Sequence, residues 1–264
     1  MKTRLDVLLT DKGLFDSREK ARAAIMEGLI YVNGAISDKP GAQVKDDAQI
    51  EIRGELCPFV SRGGYKLQKA LDVFGIDPAG MVCLDIGSST GGFTDCLLQR
   101  GAVKVYALDV GTNQLAYKLR TDDRVVCMEK TNFRTLDVQS FPETVDFACT
   151  DVSFISLMHI FPNAAALLKE GGPMIALIKP QFEAGREQVG KKGIIRDPSV
   201  HEEVIDKVIG YAKENGFSVQ GLDFSPITGT TGNIEFLLYL KLGGTDAGTD
   251  IKAVVAKAHA ELED

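Results

Sequence analysis

The chain has 264 residues, of which 44% are hydrophobic and 25% charged, and its formal net charge is −7. These values are typical of a globular protein and leave room for one large α/β domain and a smaller second domain. The negative charge excludes a protein that binds nucleic acid through its overall field. Residues 1–75 carry 12 Lys and Arg against 11 Asp and Glu, and the remainder 18 against 26, so any nucleic-acid contact depends on local basic patches.

Export, membrane insertion and metal binding find no support in the sequence. The apolar runs, such as residues 174–178, are much shorter than a membrane span, and Asp6 stands where a signal peptide is apolar. The five cysteines lack the spacing of a zinc site and are expected to be reduced, mostly buried thiols. The three histidines lie apart in the sequence, so no metal is expected. These features predict a cytoplasmic protein.

Residues 1–52 are predicted to form a small α/β module. Leucines at helical spacing predict a first helix over residues 4–12, and a second amphipathic helix follows. The Asn33-Gly34 pair then signals a hairpin turn, and residues 49–52 form a further strand.

This module resembles the S-four-type RNA-binding domain, named after a small-subunit ribosomal protein. The matching residues are Ser17, Arg18, Ala21, Gly28, Ile30, Val32, Asn33, Gly34, Val44, Asp46 and Ile50. The resemblance implies a basic face that contacts RNA phosphates, formed by Arg4, Lys12, Arg18, Lys20 and Arg22. The alternative for each of these residues is a solvated charge on a helix.

Residues 53–61 contain Gly54 and Pro58 with little periodicity and are predicted to be a linker. A second domain is then expected over residues 62–264. It opens with an amphipathic helix that begins at Arg62.

The glycine-rich stretch over residues 84–95, LDIGSSTGGFTD, lies between an apolar run and a predicted helix. A strand, a glycine turn and a helix in this order place a nucleotide-like ligand beyond the carboxyl end of the strand. Gly87 and Gly91 let the backbone approach such a ligand, and Asp85 offers a carboxylate to it. The spacing matches neither a dinucleotide fingerprint nor a Walker loop. It therefore favours an S-adenosylmethionine pocket, with a tight structural turn as the alternative.

Beyond this stretch strands and helices alternate, which predicts an α/β fold with a mostly parallel, doubly wound sheet. One strand ends at Asp109, 24 residues after Asp85, near the offset at which a carboxylate binds ribose hydroxyls. The next strand, over residues 125–128, leads to Asn132, where an adenine edge would be read. Strands over residues 217–224 and 233–242 resemble the reversed last hairpin of class I methyltransferases.

Residues 184–200 form a long, glycine-rich basic loop within the second domain. Such loops are usually functional or mobile, so Arg186, Lys191 and Lys192 are candidates for contact with substrate RNA. The alternative is an exposed connector. Residues 250–264 are predicted to form an amphipathic helix without an assigned role.

Four polar residues stand at the ends of predicted elements. Lys66 lies at a helix start, Asp151 and Lys179 follow strands, and Glu235 begins the last strand. A charged lysine emerging from an apolar strand is costly unless it is paired, which favours a functional role. The order Lys, Asp, Lys, Glu resembles the tetrad of FtsJ-like ribose 2′-O-methyltransferases.

Six motifs, one of them the glycine-rich stretch described above, make the resemblance more specific: SRGGYKL, LDIGSSTGGFTD, LDVGTNQL, TDVSFISL, IKPQFE and GNIEF. Together they resemble the TlyA family over nearly the whole chain. Its members are rRNA cytidine 2′-O-methyltransferases that are also described as haemolysins. The resemblance implies that S-adenosylmethionine is the methyl donor, that ribosomal RNA or ribosomal subunits are the partner, and that no metal takes part.

The resemblance also assigns roles to individual residues. Lys179 would lie nearest the ribose hydroxyl, and the second cation, Lys66, would help to keep it neutral. Asp151 would orient Lys179, and Glu235 would position Lys66 or the ribose. The residues expected to bind the cofactor are Asp85, Gly87, Ser88, Gly91, Gly92, Phe93, Asp109, Asn132 and Asp151.

Phe154 follows Asp151 closely and either stacks on a splayed-out base or packs in the core. Two other functions stay open at this point. One is a non-catalytic rRNA-binding assembly factor. The other is a membrane-lytic haemolysin, which would require a strongly apolar segment that the sequence lacks.

Overall fold

The structure, a computed structural model, describes residues 2–26, 28–54 and 57–262. Its contacts divide the chain into two compact units, Met1–Pro58 and Phe59–Asp264, which we call unit 1 and unit 2. Each unit contains a hydrophobic core of its own.

Unit 1 combines short strands with two helices. Its elements are β1 (Lys2–Arg4), α1 (Leu5–Asp11), α2 (Arg18–Met26), β2 (Ile30–Val32), β3 (Ala35–Ile36), β4 (Gln43–Lys45) and β5 (Ile50–Ile52). Strand β1 pairs with β4, and β2 lies between β3 and β5 in an antiparallel sheet. The two helices pack on each other through the buried residues Leu5, Leu8, Leu9, Ala21, Ala24 and Ile25.

The sequence predicted both helices and the hairpin of unit 1. Ser17 Oγ accepts the backbone N–H of Lys20 at 3.3 Å, which satisfies one of the free donors at the start of α2. Asn33 and Gly34 both have positive φ, as a tight hairpin turn between β2 and β3 requires. Strands β1 and β4 were not predicted.

Unit 2 alternates helices and strands. Its elements are α3 (Gly63–Phe74), β6 (Val82–Ile86), α4 (Gly92–Gln99), β7 (Lys104–Leu108), α5 (Tyr117–Arg120), β8 (Val125–Met128), β9 (Phe147–Thr150), α6 (Phe161–Leu167), β10 (Pro173–Ile178), α7 (Pro180–Glu183), α8 (Pro198–Glu214), β11 (Phe217–Phe224), β12 (Phe236–Leu242) and α9 (Ile251–Leu262). Short 3₁₀ turns lie between some of them.

The strands of unit 2 form one seven-stranded sheet in the order β11-β12-β10-β9-β6-β7-β8. Strands β10, β9, β6, β7 and β8 are parallel to one another, whereas β12 runs antiparallel to both β10 and β11. The central strands are apolar and buried, as in a parallel sheet covered on both faces. The predicted doubly wound α/β fold with a reversed final strand is confirmed.

Several element boundaries differ from the prediction. Helix α8 begins at Pro198, inside the predicted loop, because Asp197 caps it by accepting the Ser199 N–H at 2.9 Å. Helices α5 and α7 were missed because four residues show no helical period. Glu235 lies just before β12 and not at its first residue.

The C-terminal helix α9 packs against α8 and β11 and buries Val255 and Ala258. It also brings two of the histidines together, although they lie apart in the sequence. His201 on α8 and His259 on α9 share a hydrogen bond of 2.9 Å between Nδ1 and Nε2. Cys83, Cys96 and Cys149 are buried thiols.

Candidate active site

Charged residues collect at the carboxyl edge of the central strands. Asp151 directly follows β9, and Lys179 directly follows β10. Strand β12 runs antiparallel to β10, so Glu235, which precedes β12, returns to the same edge. Lys66 comes from α3, which packs against α4 and β12. Four separate elements thus bring these side chains to one place.

The four side chains form a row of alternating charge, which we call the tetrad: Glu235, Lys66, Asp151 and Lys179. Lys66 Nζ lies 2.6 Å from Glu235 Oε2 and 3.4 Å from Asp151 Oδ2. Lys179 Nζ lies 2.5 Å from Asp151 Oδ1 and donates a hydrogen bond to Ser153 Oγ at 3.0 Å. The tetrad side chains are between 3% and 19% exposed, so each charge depends on its neighbours and not on water.

Burial and charge pairing act in opposite directions on Lys66 and Glu235. Burial alone would lower the pKa of Lys66, but the Asp151 and Glu235 carboxylates outweigh it, and the pKa lies above its usual value. Burial raises the pKa of Glu235 more than the Lys66 ammonium lowers it. Lys66 therefore remains a cation at neutral pH, which makes it a positioning charge and not a base.

The turn after β6 requires glycine at Gly87 and Gly91, for different reasons. Gly87 has φ +84°, and a Cβ there would lie 3.0 Å from the Asp151 carbonyl oxygen. Gly91 has φ +97°, and a Cβ there would lie 2.3 Å from the Leu119 side chain. Gly87 therefore keeps the turn close to Asp151, whereas Gly91 serves the packing below the turn.

Two adjoining cavities lie along this edge. The larger, of about 450 Å³, is lined by residues that include Gly87, Asp109, Asn132 and Asp151. The smaller, of about 220 Å³, is lined by residues that include Lys66, Asp85, Gly87, Ser88, Gly92, Phe93, Asp151 and Lys179. The structure thus brings eight of the nine predicted cofactor residues to these cavities. Gly91 is the one that does not line them.

Two of the predicted cofactor carboxylates are already engaged by protein groups. Asp85 is fully buried in β6, where Thr94 Oγ1 donates to it at 2.6 Å and burial raises its pKa to about 7. Asp109 accepts the backbone N–H groups of Ser89 at 2.8 Å and Gly111 at 2.7 Å. Both carboxylates hold the turns around the cavities in place, and direct contact with a ligand stays a prediction.

Asn132 and Glu129 follow β8 and have structural partners as well. Asn132 Oδ1 accepts the Arg134 N–H at 3.1 Å. Glu129 pairs with Arg120 and accepts the backbone N–H groups of residues 113–115, and these bonds lower its pKa to about 2. The segment between α5 and β7 is therefore fixed by Glu129, while Asn132 lines the larger cavity.

A third cavity, of about 400 Å³, shares Lys66, Lys179 and Glu235 with the tetrad. Phe154 stands beside it with 90% of its surface exposed and φ +63°, so packing in the core is wrong for this residue. Its ring centre lies 4.8 Å from that of Phe182. An exposed phenylalanine that packs on a half-buried one next to a charged site offers an apolar face for a planar ligand.

Phe182 and Gln181 line this cavity and were not predicted as site residues. Gln181 Oε1 is buried and makes no hydrogen bond with the described residues. Both residues lie in the IKPQFE motif two and three positions after Lys179, and the short helix α7 turns them towards the cavity. The sequence does not predict this helix, because its four residues are too few to show a helical period.

Lys192 of the basic loop lines the third cavity, is exposed and has φ +73°. Arg186 is exposed and does not line the cavity. The side chain of Lys191 lies outside the described part of the structure. The loop therefore borders the cavity at Lys192 and Gly193.

In unit 1 the five predicted RNA-binding residues all lie on the surface. Arg4 and Arg18 are about half exposed, and both form ion pairs with the buried Asp6. Lys20 pairs with Asp16 at 2.8 Å. Lys12 and Arg22 are also exposed. Arg4 and Arg18 thus share one partner, the Asp6 carboxylate.

Within residues 2–26, 28–54 and 57–262, every helix is too short or too polar to cross a membrane. The same residues contain no cluster of three or more His, Cys, Asp or Glu side chains suited to a metal ion.

Comparison with known proteins finds a matching domain family for each unit. A sequence model of the FtsJ-like methyltransferases matches residues 59–242, and a model of the S4 domain matches residues 3–50. The Bacillus subtilis protein YqxC, whose name assigns it provisionally to the rRNA methyltransferases, is 51% identical and covers 100% of this chain and 96% of its own. The Mycobacterium tuberculosis protein named 16S/23S rRNA (cytidine-2′-O)-methyltransferase TlyA is 38% identical over 100% of this chain and 98% of its own.

A solved structure from Streptococcus thermophilus, provisionally titled a hemolysin, superposes with a TM-score of 0.78 at 51% identity. It covers 98% of this chain and 96% of its own.

Proposed function

The chain belongs to the FtsJ-like methyltransferase family, and we propose that it transfers a methyl group from S-adenosylmethionine to the ribose 2′-hydroxyl of cytidine in ribosomal RNA. The observation that carries the proposal is the tetrad at the carboxyl edge of the sheet, where the two lysines flank Asp151. The name of the Mycobacterium tuberculosis relative supports the nucleotide and the class of RNA.

The residues present fit S-adenosylmethionine. The two adjoining cavities can hold an adenosine at Asp109 and Asn132 and an amino-acid tail near Gly87 and Asp85. Gly87 leaves open the space that a Cβ would fill beside the Asp151 carbonyl. When bound, the cofactor supplies a methyl group on a positively charged sulfur, and such a group needs no metal to activate it.

The ribose 2′-hydroxyl is a weak nucleophile that must be aligned and must lose its proton. We assign proton removal to Lys179, whose Nζ borders both the smaller cavity and the third cavity. Asp151 and Ser153 hold this Nζ in one position through the contacts at 2.5 and 3.0 Å. The Nζ lone pair would take the hydroxyl proton while the oxygen bonds to the methyl carbon. The bond from that carbon to sulfur would break, and its electron pair would leave with the sulfur as a neutral thioether.

Lys66 and Glu235 support this step indirectly. Lys66 remains protonated and lies 3.4 Å from Asp151, so it helps to hold the Asp151 carboxylate in place beside Lys179. Glu235 in turn neutralises Lys66 in a site that water hardly reaches. Lys66 and Glu235 thus act on Lys179 through the position of Asp151.

The RNA would be held by both units. We propose that residues 1–52 form the RNA-binding domain, residues 53–61 the linker and residues 62–264 the catalytic domain. Basic residues of unit 1 would bind phosphates, and Lys192 with Arg186 and Lys191 would add contacts near the active site. Phe154 and Phe182 offer a stacking surface for the target base, which must leave its stack for the ribose to reach Lys179.

The test is transfer of tritiated methyl groups to 30S and 50S subunits from cells that lack the gene. Wild-type protein should label the RNA of at least one subunit, and Lys179→Ala should abolish the label. Lys252→Ala, which removes an exposed lysine on α9, is the matched control and should retain activity. Binding to subunits without any label would contradict the proposal and favour an assembly factor, and leakage of liposomes by the protein would favour a haemolysin.

A further inference from the structure

The buried carboxylate of Asp6 is the feature of unit 1 that its RNA-binding role leaves unexplained. Asp6 lies in the first turn of α1 and is 0% exposed, although it carries a charge on a small domain. Buried charges are retained when several hydrogen bonds satisfy them. The groups that donate hydrogen bonds to Asp6 indicate the role of this charge.

Four hydrogen bonds satisfy the Asp6 carboxylate completely. Arg4 donates from Nε to Oδ1 and from Nη2 to Oδ2, both at 3.0 Å. Arg18 donates from Nε to Oδ2 at 3.0 Å, and the Val7 N–H donates to Oδ1 at 3.1 Å. The bonds from the two arginines lower the pKa of Asp6 to about 2, despite its burial, so it is ionised at any physiological pH.

The same bonds leave much of each guanidinium group available. Arg4 uses two of its five N–H donors on Asp6 and Arg18 uses one, and the two side chains are 46% and 53% exposed. Two guanidinium groups on one carboxylate are held side by side, although they would otherwise repel each other. The three residues carry a net charge of +1, and both half-exposed guanidinium groups keep N–H donors that the bonds to Asp6 do not use.

We propose that Asp6 positions Arg4 and Arg18 as a two-arginine site for one phosphate group of the RNA backbone. The proposal rests on the RNA-binding function proposed above and names the residue that organises it. Paired guanidinium groups suit a phosphate because each can donate two parallel N–H bonds to its oxygens. Holding both in place before binding removes the entropy cost of ordering two long side chains.

The test uses the full chain, deproteinised 16S and 23S rRNA, and binding measured over a range of salt concentrations. Asp6→Asn removes a negative charge, so a general electrostatic effect alone would tighten RNA binding. The proposal predicts the opposite, a loss of about tenfold in affinity and a shallower salt dependence, by about one phosphate contact. Asp11→Asn, at an exposed position of the same helix, makes the same charge change and should bind RNA as well as wild type or better.

Arg18→Ala provides a second variant at an exposed position, in case Asp6→Asn unfolds unit 1. It should lose affinity to a similar extent, and adding Asp6→Asn to it should cause little further loss, because the site is already broken. Asp6→Asn should also raise the KM for RNA more than it lowers kcat.

If a folded Asp6→Asn protein binds RNA as tightly as Asp11→Asn, the proposed two-arginine site is refuted. Additive losses in the double variant would overturn it as well. Failure of the proposed function looks different, because wild-type protein would then bind RNA in a salt-dependent manner and transfer no methyl group.

Discussion

Replacing Lys66 with methionine removes the cation that Glu235 contacts at 2.6 Å. The Glu235 side chain is only 3% exposed, so water cannot take the place of the ammonium group. Removing one partner of a buried ion pair costs about 3–5 kcal/mol, because the remaining charge has no compensation. For a unit of this size, a loss of about 3 kcal/mol lowers the thermal midpoint by roughly 6–12 °C.

The loss should depend on pH in a defined direction. Burial already raises the pKa of Glu235 above its usual value of 4.5, and without Lys66 it rises further. A carboxyl with a raised pKa binds its proton more tightly in the folded state, so its destabilising effect is absent below its unfolded pKa and grows above it. The loss of stability of Lys66→Met relative to wild type should therefore be smallest near pH 4.5 and increase as the pH rises towards neutrality.

Thermal unfolding followed by circular dichroism between these pH values measures the effect. Glu235→Gln is the matched variant, because it removes the charge and keeps the shape. The double variant Lys66→Met with Glu235→Gln should recover most of the stability that Lys66→Met loses, but no methyl transfer. If Lys66→Met melts like wild type at every pH, or if Glu235→Gln fails to rescue it, the reasoning on the buried pair is refuted.

Three further substitutions test other parts of the site. Gly87→Ala, with a Cβ at 3.0 Å from the Asp151 carbonyl and φ +84°, should abolish S-adenosylmethionine binding in calorimetry and cost about 1–3 kcal/mol of stability. Phe154→Ala should leave the melting temperature unchanged, since the ring is exposed, but raise the KM for RNA about tenfold. The pKa of Asp85 is raised from 3.8 to about 7, so the wild-type protein should lose stability as the pH rises from 4 to 7. The expected loss is on the order of 4 kcal/mol. Asp85→Asn should remove this pH dependence in thermal melts.

Much of unit 2 could be predicted because its signals are local. The strands over residues 125–128 and 217–224 were predicted with the bounds that the structure shows, since continuous apolar or alternating runs define them. The place of Asp151 and Lys179 followed from a general property of parallel sheets, whose carboxyl ends share one edge. The contact between them was expected only from the resemblance to the FtsJ-like tetrad.

Other features could not be predicted because they depend on partners far apart in the sequence. Asp85 was expected to face a ligand, yet the Thr94 hydroxyl, supplied by the first turns of α4, takes one of its oxygens. Asp6 appeared as an acid in a helical segment, and nothing local shows that two arginines 14 residues apart share it. The exposure of Phe154 depends on a positive φ that its residue type does not indicate.

The most direct test of the central claim is the identity of the methylated nucleoside. RNA labelled by the wild-type protein is digested completely to nucleosides and analysed by liquid chromatography and mass spectrometry. The account predicts 2′-O-methylcytidine, absent from the Lys179→Ala reaction and present in the Lys252→Ala reaction. A methyl group on a base, or on the ribose of another nucleoside, would contradict it.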